Sequence, residues 1–173
     1  KIKLLSKQEL EDSIGFKFGL KTLLITFHPV TLEDSTAEQQ CLNLLEVLES
    51  LRDYHFLFTL PNSDTNGRII GECIRQFVDN HSDRAIAFTS LGHTRYLSAL
   101  QYVSAVVGNS SSGIIEVPNF GIPTLNIGNR QKGRIAAKSV IHCGIEKEEI
   151  KVGLKKVLSE SILSIAQLKK NPY

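Results

Sequence analysis

Short runs of hydrophobic residues alternate along the chain with longer stretches whose hydrophobic residues recur at helical spacing. The short runs are rich in β-branched and aromatic residues and lack polar alternation, which is typical of strands buried on both faces of a sheet. We therefore predict six strands, at 22–27, 55–60, 84–88, 104–108, 123–128 and 139–143.

Three of the stretches between these strands place hydrophobic side chains on one face of a helix. They are 36–51 with Leu42, Leu45, Leu48 and Leu51, 68–78 with Ile69, Ile70, Cys73, Ile74 and Phe77, and 94–103 with Tyr96, Leu97, Leu100 and Val103. Two further helices are predicted at 146–159 and 161–170. Strands that alternate with helices indicate an α/β fold, a doubly wound parallel sheet of the Rossmann-like type. We expect one such domain over 16–173, with 1–15 as a connector outside the sheet.

The composition of the chain indicates which binding partners and which cellular compartment to expect. The chain has 173 residues and 20 Lys and Arg against 18 Asp and Glu, a net charge of +2 that gives no reason to expect a nucleic-acid partner. The three cysteines lack metal-ligand spacing, which favours free thiols in a reducing, cytoplasmic compartment. No membrane span or signal peptide is predicted. A start at Lys1 and the absence of Met favour a fragment of a longer protein.

The loop after the fourth predicted strand carries the most specific chemistry. Ligands of doubly wound sheets bind beyond the carboxyl ends of the strands. There the chain reads Gly-Asn-Ser-Ser-Ser-Gly, and its candidate ligand-binding residues are Asn109, Ser110, Ser111, Ser112 and Gly113. Unpaired N–H groups at a helix start, with serine hydroxyls beside them, suit a phosphate. The alternative is that the serines only cap a helix.

Neighbouring loops add groups that suit the rest of a nucleotide. Glu116 follows the serines and could accept hydrogen bonds from sugar hydroxyls, or it could simply face solvent. The loop after the fifth strand supplies Arg130, Lys132 and Arg134, which would attract a diphosphate or remain solvated. Together these residues describe a pocket for a nucleoside diphosphate.

Two histidines lie at the same predicted edge. His28 ends the first strand and could donate to a phosphate or play a structural part, and His93 lies at the edge or caps a helix. No P-loop, zinc motif or nucleophile elbow accompanies them, and the loops contain no paired carboxylates for acid–base catalysis.

The motifs TFHPVT, LPNSDTNG, LGHTRYLSAL, VVGNSSSGIIEVPNFGIPTLNIGNRQKGR and SVIHC, in this order, resemble the UDP-N-acetylglucosamine 2-epimerases. The segment 106–134 is the most specific of them. The likeness is greatest to the hydrolysing branch of sialic and legionaminic acid biosynthesis, because the loop LPNSDTNG lacks a histidine. Members of the family are about twice as long and have two Rossmann-like domains in the glycosyltransferase-B arrangement. This chain resembles their C-terminal, UDP-binding half.

The resemblance implies a role for each matching residue. His28 would contact the nucleotide diphosphate and is the one candidate catalytic residue, and Asn62 would lie in the loop on the uridine side. Ser110 and Ser111 would hold the phosphates, Glu116 would bind the ribose hydroxyls, and Arg130 would lie near the nucleotide. His93, Asn109, Ser112 and Gly113 complete the predicted UDP site, which needs no metal or cofactor.

The implied reaction converts UDP-N-acetylglucosamine and water to N-acetylmannosamine and UDP, by elimination of UDP and addition of water to 2-acetamidoglucal. The family's proton-transfer residues lie mostly in the N-terminal domain, and its chain continues beyond the segment 171–173 into a last helix. We therefore expect this chain to bind UDP weakly and to lack turnover, with a homodimeric parent protein. The alternatives are a UDP-sugar glycosyltransferase of the same fold and a non-catalytic nucleotide-sugar-binding module.

Overall fold

The computed structural model describes residues 1–30 and 37–173. These residues form a six-stranded sheet in the order β3-β2-β1-β4-β5-β6, and every neighbouring pair is parallel. The strands are β1 Thr22–Thr26, β2 His55–Thr59, β3 Ala85–Phe88, β4 Ala105–Gly108, β5 Thr124–Ile127 and β6 Val140–Cys143. The predicted doubly wound α/β fold is confirmed.

Seven α-helices flank the sheet within the described residues. They are α1 Lys7–Ile14, α2 Ala37–Glu49, α3 Thr65–Asn80, α4 Gly92–Ala99, α5 Ser112–Ile115, α6 Lys147–Val157 and α7 Glu160–Gln167, and a 3-10 helix follows α5 over Val117–Phe120. None of these helices is both long enough and apolar enough to cross a membrane.

The core has two layers because successive side chains of a strand point to opposite faces of the sheet. Leu23 and Ile25 of β1 pack in one layer with residues of α2, α3 and α6, whereas Leu24 packs in the other with residues of α1 and α4. All five residues of β1 are buried. This burial on both faces explains why the strands are continuous apolar runs.

The first predicted helix is present, but its buried face differs in part from the expected one. Leu45 and Leu48 are buried as predicted, whereas Leu42 is 40% exposed. Cys41 and Leu44 complete the buried face instead. Thr36, the first residue of the predicted helix, lies outside the described residues.

The segment 1–15, expected to be a connector, contributes to the core of the same domain. Helix α1 packs against α4 with Leu10 fully buried. The N–H of Leu5 donates to Ser98 Oγ at 2.9 Å, and the Tyr102 hydroxyl donates to the Leu5 carbonyl at 3.0 Å. The short amphipathic pattern of α1 was not recognised in the sequence, and its residues belong to the folded layer rather than to a linker.

The sheet order sets the position of the functional site. Strands β1 and β4 are neighbours, yet the chain leaves β1 toward α2 in one core layer and leaves β4 toward Val117 in the other. Connections that depart to opposite faces open a crevice at the carboxyl ends of the two strands, where ligands of this fold class bind. The loops that begin at His28 and Asn109 meet at this switch point.

Candidate functional site

A cavity of about 360 Å³ opens at the carboxyl ends of β1, β2 and β3, beside the switch point. We call it the switch-point cleft. Thr26 and Thr59, at the ends of β1 and β2, line it and join their hydroxyls in a hydrogen bond. The other lining residues are His28, Leu60, Thr89, Ser90, Leu91, Gly92, His93, Tyr96 and Glu116. The cleft therefore brings together three residues predicted from the sequence, His28, His93 and Glu116.

His28 is held through its backbone, which leaves its imidazole at the cleft. Its N–H donates to Asn109 Oδ1 at 2.7 Å, and its carbonyl accepts from Asn109 Nδ2 at 2.8 Å. Burial and then the positive charge of Arg130 lower the pKa of His28 below its usual value. A neutral imidazole can donate one hydrogen bond to a ligand, and an arriving anion would favour its protonation.

Gly108 lets the loop after β4 approach β1 closely. Its φ is +141°, and a Cβ at this position would lie 1.9 Å from the Thr26 carbonyl oxygen. Only glycine fits both the backbone angle and the space. The next residue, Asn109, then donates its N–H to the same Thr26 carbonyl at 3.1 Å.

The serine loop presents free donors beside this contact. Ser110 and Ser111 are half-buried, and their N–H groups have no acceptor among the described residues. Ser110 Oγ accepts from the Ser112 N–H at 3.3 Å. Helix α5 has only four residues, so its dipole is weaker than the sequence suggested. The donors for an anion are therefore individual N–H and hydroxyl groups rather than a long helix.

Ser112 and Gly113, also predicted to bind the nucleotide, are engaged within the protein. Ser112 Oγ shares a hydrogen bond of 2.7 Å with the Tyr96 hydroxyl. Gly113 is buried against β5, where its carbonyl accepts from Thr124 Oγ1 at 2.9 Å and a Cβ would lie 2.8 Å from Thr124 Cγ2. The Ser112 hydroxyl and the Gly113 carbonyl are thus engaged with partners within the protein.

Tyr96 is a cleft residue that the sequence analysis had assigned only to the core. It lines the switch-point cleft, and burial raises the pKa of its hydroxyl. The sequence pattern places it on the buried face of a helix, although a tyrosine in the second turn of a helix that follows a strand's carboxyl end is a usable signal. Its hydroxyl fixes Ser112 and thereby one side of the serine loop.

Glu116, the residue that follows α5, lines the cleft together with Tyr96. Its carboxylate is half-buried and forms no hydrogen bond or ion pair with the described residues. His93, in the first turn of α4, lines the same cleft and is exposed. A carboxylate without a protein partner is free to accept hydrogen bonds from two neighbouring hydroxyls.

The structure separates the three cations of the loop after β5. Arg130 Nη1 donates to the Asn109 carbonyl at 3.1 Å, so this guanidinium lies beside His28 and the serine loop. Lys132 and Arg134 line a second cavity of about 540 Å³, together with Asn126, Gly128, Asn129, Gln131, Gly133, His142, Cys143, Gly144 and Glu149. We call it the edge cavity. Of the three cations expected around one site, Arg130 lies beside His28, whereas Lys132 and Arg134 line a different cavity.

Gln131 is buried and also contacts the Asn109 carbonyl, and no motif in the sequence predicts this contact. It is 6% exposed, and its Nε2 donates to the Asn109 carbonyl at 3.1 Å. A glutamine between basic residues of a loop carries no hydrophobic pattern, so only the tertiary structure reveals its burial.

Asn62 lies in the loop after β2, exposed and outside the residues that line the switch-point cleft. The loop has a clear structural part, because Asp64 caps α3 by accepting from the Gly67 N–H at 2.7 Å. A Cβ on Gly67 would lie 1.8 Å from the Asn62 carbonyl oxygen. The structure does not bring Asn62 to the cleft, and its predicted contact with uridine stays a prediction.

Metal ligands do not cluster in the part of the chain that the structure describes. Residues 1–30 and 37–173 contain no group of three or more His, Cys, Asp or Glu placed to hold a metal ion.

Comparison with known proteins places the chain in a family. The sequence profile of the UDP-N-acetylglucosamine 2-epimerases matches residues 3–173. The chain belongs to the UDP-N-acetylglucosamine 2-epimerase family.

Curated epimerase relatives include a Campylobacter jejuni GDP/UDP-N,N'-diacetylbacillosamine 2-epimerase (hydrolyzing), 39% identical over 79% of this chain and 36% of its own. The Escherichia coli polysialic acid biosynthesis protein P7 is 36% identical over 97% of this chain and 42% of its own. The chain thus spans well under half the length of the curated relatives it matches.

Solved structures support the same fold. The Neisseria meningitidis UDP-GlcNAc 2-epimerase, bound to UDP-GlcNAc, aligns with a TM-score of 0.67 at 18% identity, over 92% of this chain and 42% of its own. The C-terminal domain of a group 1 glycosyltransferase from Francisella tularensis aligns with a TM-score of 0.60 at 13% identity, over 98% of this chain and 90% of its own. The chain therefore has the fold of the C-terminal half of the glycosyltransferase-B arrangement.

Proposed function

We propose that this chain is the UDP-binding half of a hydrolysing UDP-N-acetylglucosamine 2-epimerase. The observation that carries the proposal is that His28 and Glu116 line one cleft at the switch point, with Arg130 beside His28. Next to His28 and Arg130, the serine loop presents N–H groups that have no acceptor among the described residues. A carboxylate without a protein partner, backbone donors and a cation are the complement of a ribose joined to a diphosphate.

The switch-point cleft has room for a nucleoside. Its volume of about 360 Å³ lies within the range of small-molecule sites. Glu116 would accept hydrogen bonds from the two ribose hydroxyls, and His28, Ser110, Ser111 and Arg130 would bind the diphosphate. The 39% identity with a curated GDP/UDP-sugar 2-epimerase over 79% of this chain supports UDP or a related nucleotide as the ligand.

In the proposed reaction this half of the enzyme stabilises the leaving nucleotide. Negative charge grows on the UDP oxygen as the sugar–oxygen bond breaks, and oriented N–H groups with Arg130 stabilise it. Among the described residues, Glu116 is the one carboxylate that lines the cleft, so proton transfer at the sugar would fall to residues outside this chain. We propose accordingly that the chain alone binds UDP weakly and does not turn over the sugar nucleotide.

A glycosyltransferase function has weaker support. The same architecture occurs in a glycosyltransferase domain, but at 13% identity that likeness concerns the fold alone. The family profile covers nearly the whole chain and is that of the epimerases. We propose in addition that the parent protein is cytoplasmic and homodimeric.

Calorimetric titration of the chain with UDP and with inorganic phosphate tests this function. We expect UDP to bind detectably by millimolar concentrations and more tightly than phosphate. Glu116→Gln should weaken UDP binding about 10-fold or more, because hydrogen bonds to a charged group contribute roughly 1.5–3 kcal/mol. The same substitution should leave phosphate binding unchanged, whereas Ser110→Ala should weaken both.

Glu149→Gln, in the edge cavity, is the matched control and should bind UDP as the wild type does. The proposal is wrong if UDP binds no better than phosphate, or if Glu116→Gln and Glu149→Gln behave alike. Release of N-acetylmannosamine from UDP-N-acetylglucosamine by the purified chain would refute the proposed dependence on residues outside it.

A further inference from the structure

Asn109 lies at the centre of the proposed site, but its side chain is buried and bonded within the protein. The residue is 1% exposed. Its Oδ1 accepts from the His28 N–H at 2.7 Å, and its Nδ2 donates to the His28 carbonyl at 2.8 Å. The carboxamide is therefore engaged with the backbone of one residue, in the manner of a strand pair continued past the ends of β1 and β4.

The backbone of Asn109 is equally engaged. Its N–H donates to the Thr26 carbonyl at 3.1 Å. Its carbonyl accepts from Arg130 Nη1 and from Gln131 Nε2, each at 3.1 Å. One buried residue thus joins the loops that follow β1, β4 and β5, and these loops carry the imidazole, the serines and the guanidinium of the site.

We propose that Asn109 is a positioning residue that sets the relative placement of His28, the serine loop and Arg130 through these hydrogen bonds, without a contact between its side chain and the nucleotide. The inference rests on the proposed function and assigns to Asn109 a different part from the direct contact predicted from the sequence. Gln131 assists by holding the shared carbonyl from the buried side.

The geometry requires an asparagine at this position. The His28 backbone offers one donor and one acceptor, and a carboxamide supplies one acceptor and one donor on a single side chain. An aspartate would place a carboxylate oxygen against the His28 carbonyl, and an alanine would leave both His28 groups without a partner. Buried backbone groups that lose their partners shift or admit water, so His28 would lose its fixed place.

The test compares Asn109→Ala with Asn43→Ala in the intact chain, by titration with UDP. Asn43 is a suitable control because it is 6% exposed, donates through Nδ2 to the Ile145 carbonyl at 3.1 Å and accepts from Gln39 at 2.9 Å. Both substitutions remove a buried carboxamide and should lower the thermal midpoint. We expect Asn109→Ala to weaken UDP binding about 10-fold, the factor that corresponds to roughly 1.4 kcal/mol, and Asn43→Ala to leave it unchanged.

A second measurement reports on His28 itself, by NMR titration of its imidazole in the unliganded chain. The charged or titratable groups that line the cleft with His28 or lie beside it, among the described residues, are Arg130 from the loop after β5, Glu116 from the end of α5, and His93 and Tyr96 from α4. In the wild type, burial and Arg130 keep the His28 pKa below its usual value. Asn109→Ala should raise this pKa toward about 6.5, because the His28 backbone loses both of its partners and the ring then gains solvent and moves away from Arg130. A general loss of stability, as in Asn43→Ala, should not move it.

If Asn109→Ala does not fold, Gln131→Met provides an alternative test of the positioning role. It removes one donor to the Asn109 carbonyl while the pair with His28 remains, and we expect UDP binding to weaken by a smaller factor, about threefold. The positioning role is overturned if wild-type chain binds UDP and Asn109→Ala binds it equally well with an unmoved His28 pKa, or if Gln131→Met leaves affinity unchanged. Failure of the wild type to bind UDP would instead refute the proposed function.

Discussion

Two cavities lie along the same carboxyl edge of the sheet, and they differ in what surrounds them. The edge cavity is the larger, about 540 Å³ against about 360 Å³, and Lys132 and Arg134 line it. The switch-point cleft is smaller, but it lies beside the point where the connections from β1 and β4 depart to opposite faces. It also holds Glu116, whose carboxylate has no hydrogen-bond or ion-pair partner in 1–30 and 37–173. Volume and the number of cations thus favour the edge cavity as the ligand site. The sheet topology and the set of polar groups favour the switch-point cleft.

The comparison shows how a Rossmann-like sheet places its ligand. Neighbouring strands whose connections follow the same face leave no crevice between them, whereas a reversal of direction necessarily opens one. Polar groups reach that crevice from several loops at once, as His28 and Glu116 do here, with Arg130 beside His28. Cations on a single loop, such as Lys132 and Arg134, can serve solubility alone.

The largest expected effect concerns two glycines with positive φ. Gly108 lies at the switch point, and Gly133 lines the edge cavity. A Cβ on Gly108 would lie 1.9 Å from the Thr26 carbonyl, whereas one on Gly133 would meet nothing within 4 Å. Gly108→Ala should lower the free energy of unfolding by about 3–5 kcal/mol, since steric overlap adds to backbone strain. Gly133→Ala, with strain alone, should cost about 1 kcal/mol. Urea denaturation of both variants measures the difference, and equal losses would contradict a tight junction at the switch point.

A smaller effect separates the basic residues of the loop after β5. Arg130→Ala should weaken UDP binding by about 5- to 10-fold, because a charge-assisted contact to the diphosphate is lost along with the bond to the Asn109 carbonyl. Lys132→Ala should change the affinity by less than about twofold, since its ammonium lies at the edge cavity and is screened by solvent. Calorimetric titration with UDP compares the two. A greater loss in Lys132→Ala would assign the diphosphate to the edge cavity instead.

The smallest effect is the pH dependence of stability that His28 contributes. Because its pKa is lowered in the folded state, the unfolded chain binds more protons as pH falls below the ordinary histidine value of about 6.5. The stability that neutral His28 contributes is therefore fully present above a pH of about 6.5, and it is lost as the pH falls through the folded-state pKa. His28→Gln should show a shallower decline of the free energy of unfolding over this interval, measured by urea denaturation at a series of pH values. An unchanged slope would contradict the buried, neutral imidazole.

Local patterns were sufficient to predict most of the fold. All six predicted strands are present within one residue of their expected ends, because continuous apolar runs of this length suit a strand buried on both faces. The order and spacing of the motifs were sufficient for the family, which the profile match confirms. Helix α1 was not predicted, because eight mostly polar residues with two buried apolar side chains form a weak periodic pattern.

What the sequence by itself determined is the set of chemical groups at the carboxyl edge: the serine loop, Glu116, the histidines and the basic loop. Only the tertiary structure decided which of them share a cleft. Lys132 and Arg134 are two and four residues beyond Arg130 along the chain, yet they line the edge cavity. Asn109 faces inward to His28, with Gln131 on its carbonyl. In a loop, the direction of each side chain depends on backbone angles and on partners from distant strands, and neither is written in the local pattern of hydrophobic and polar residues.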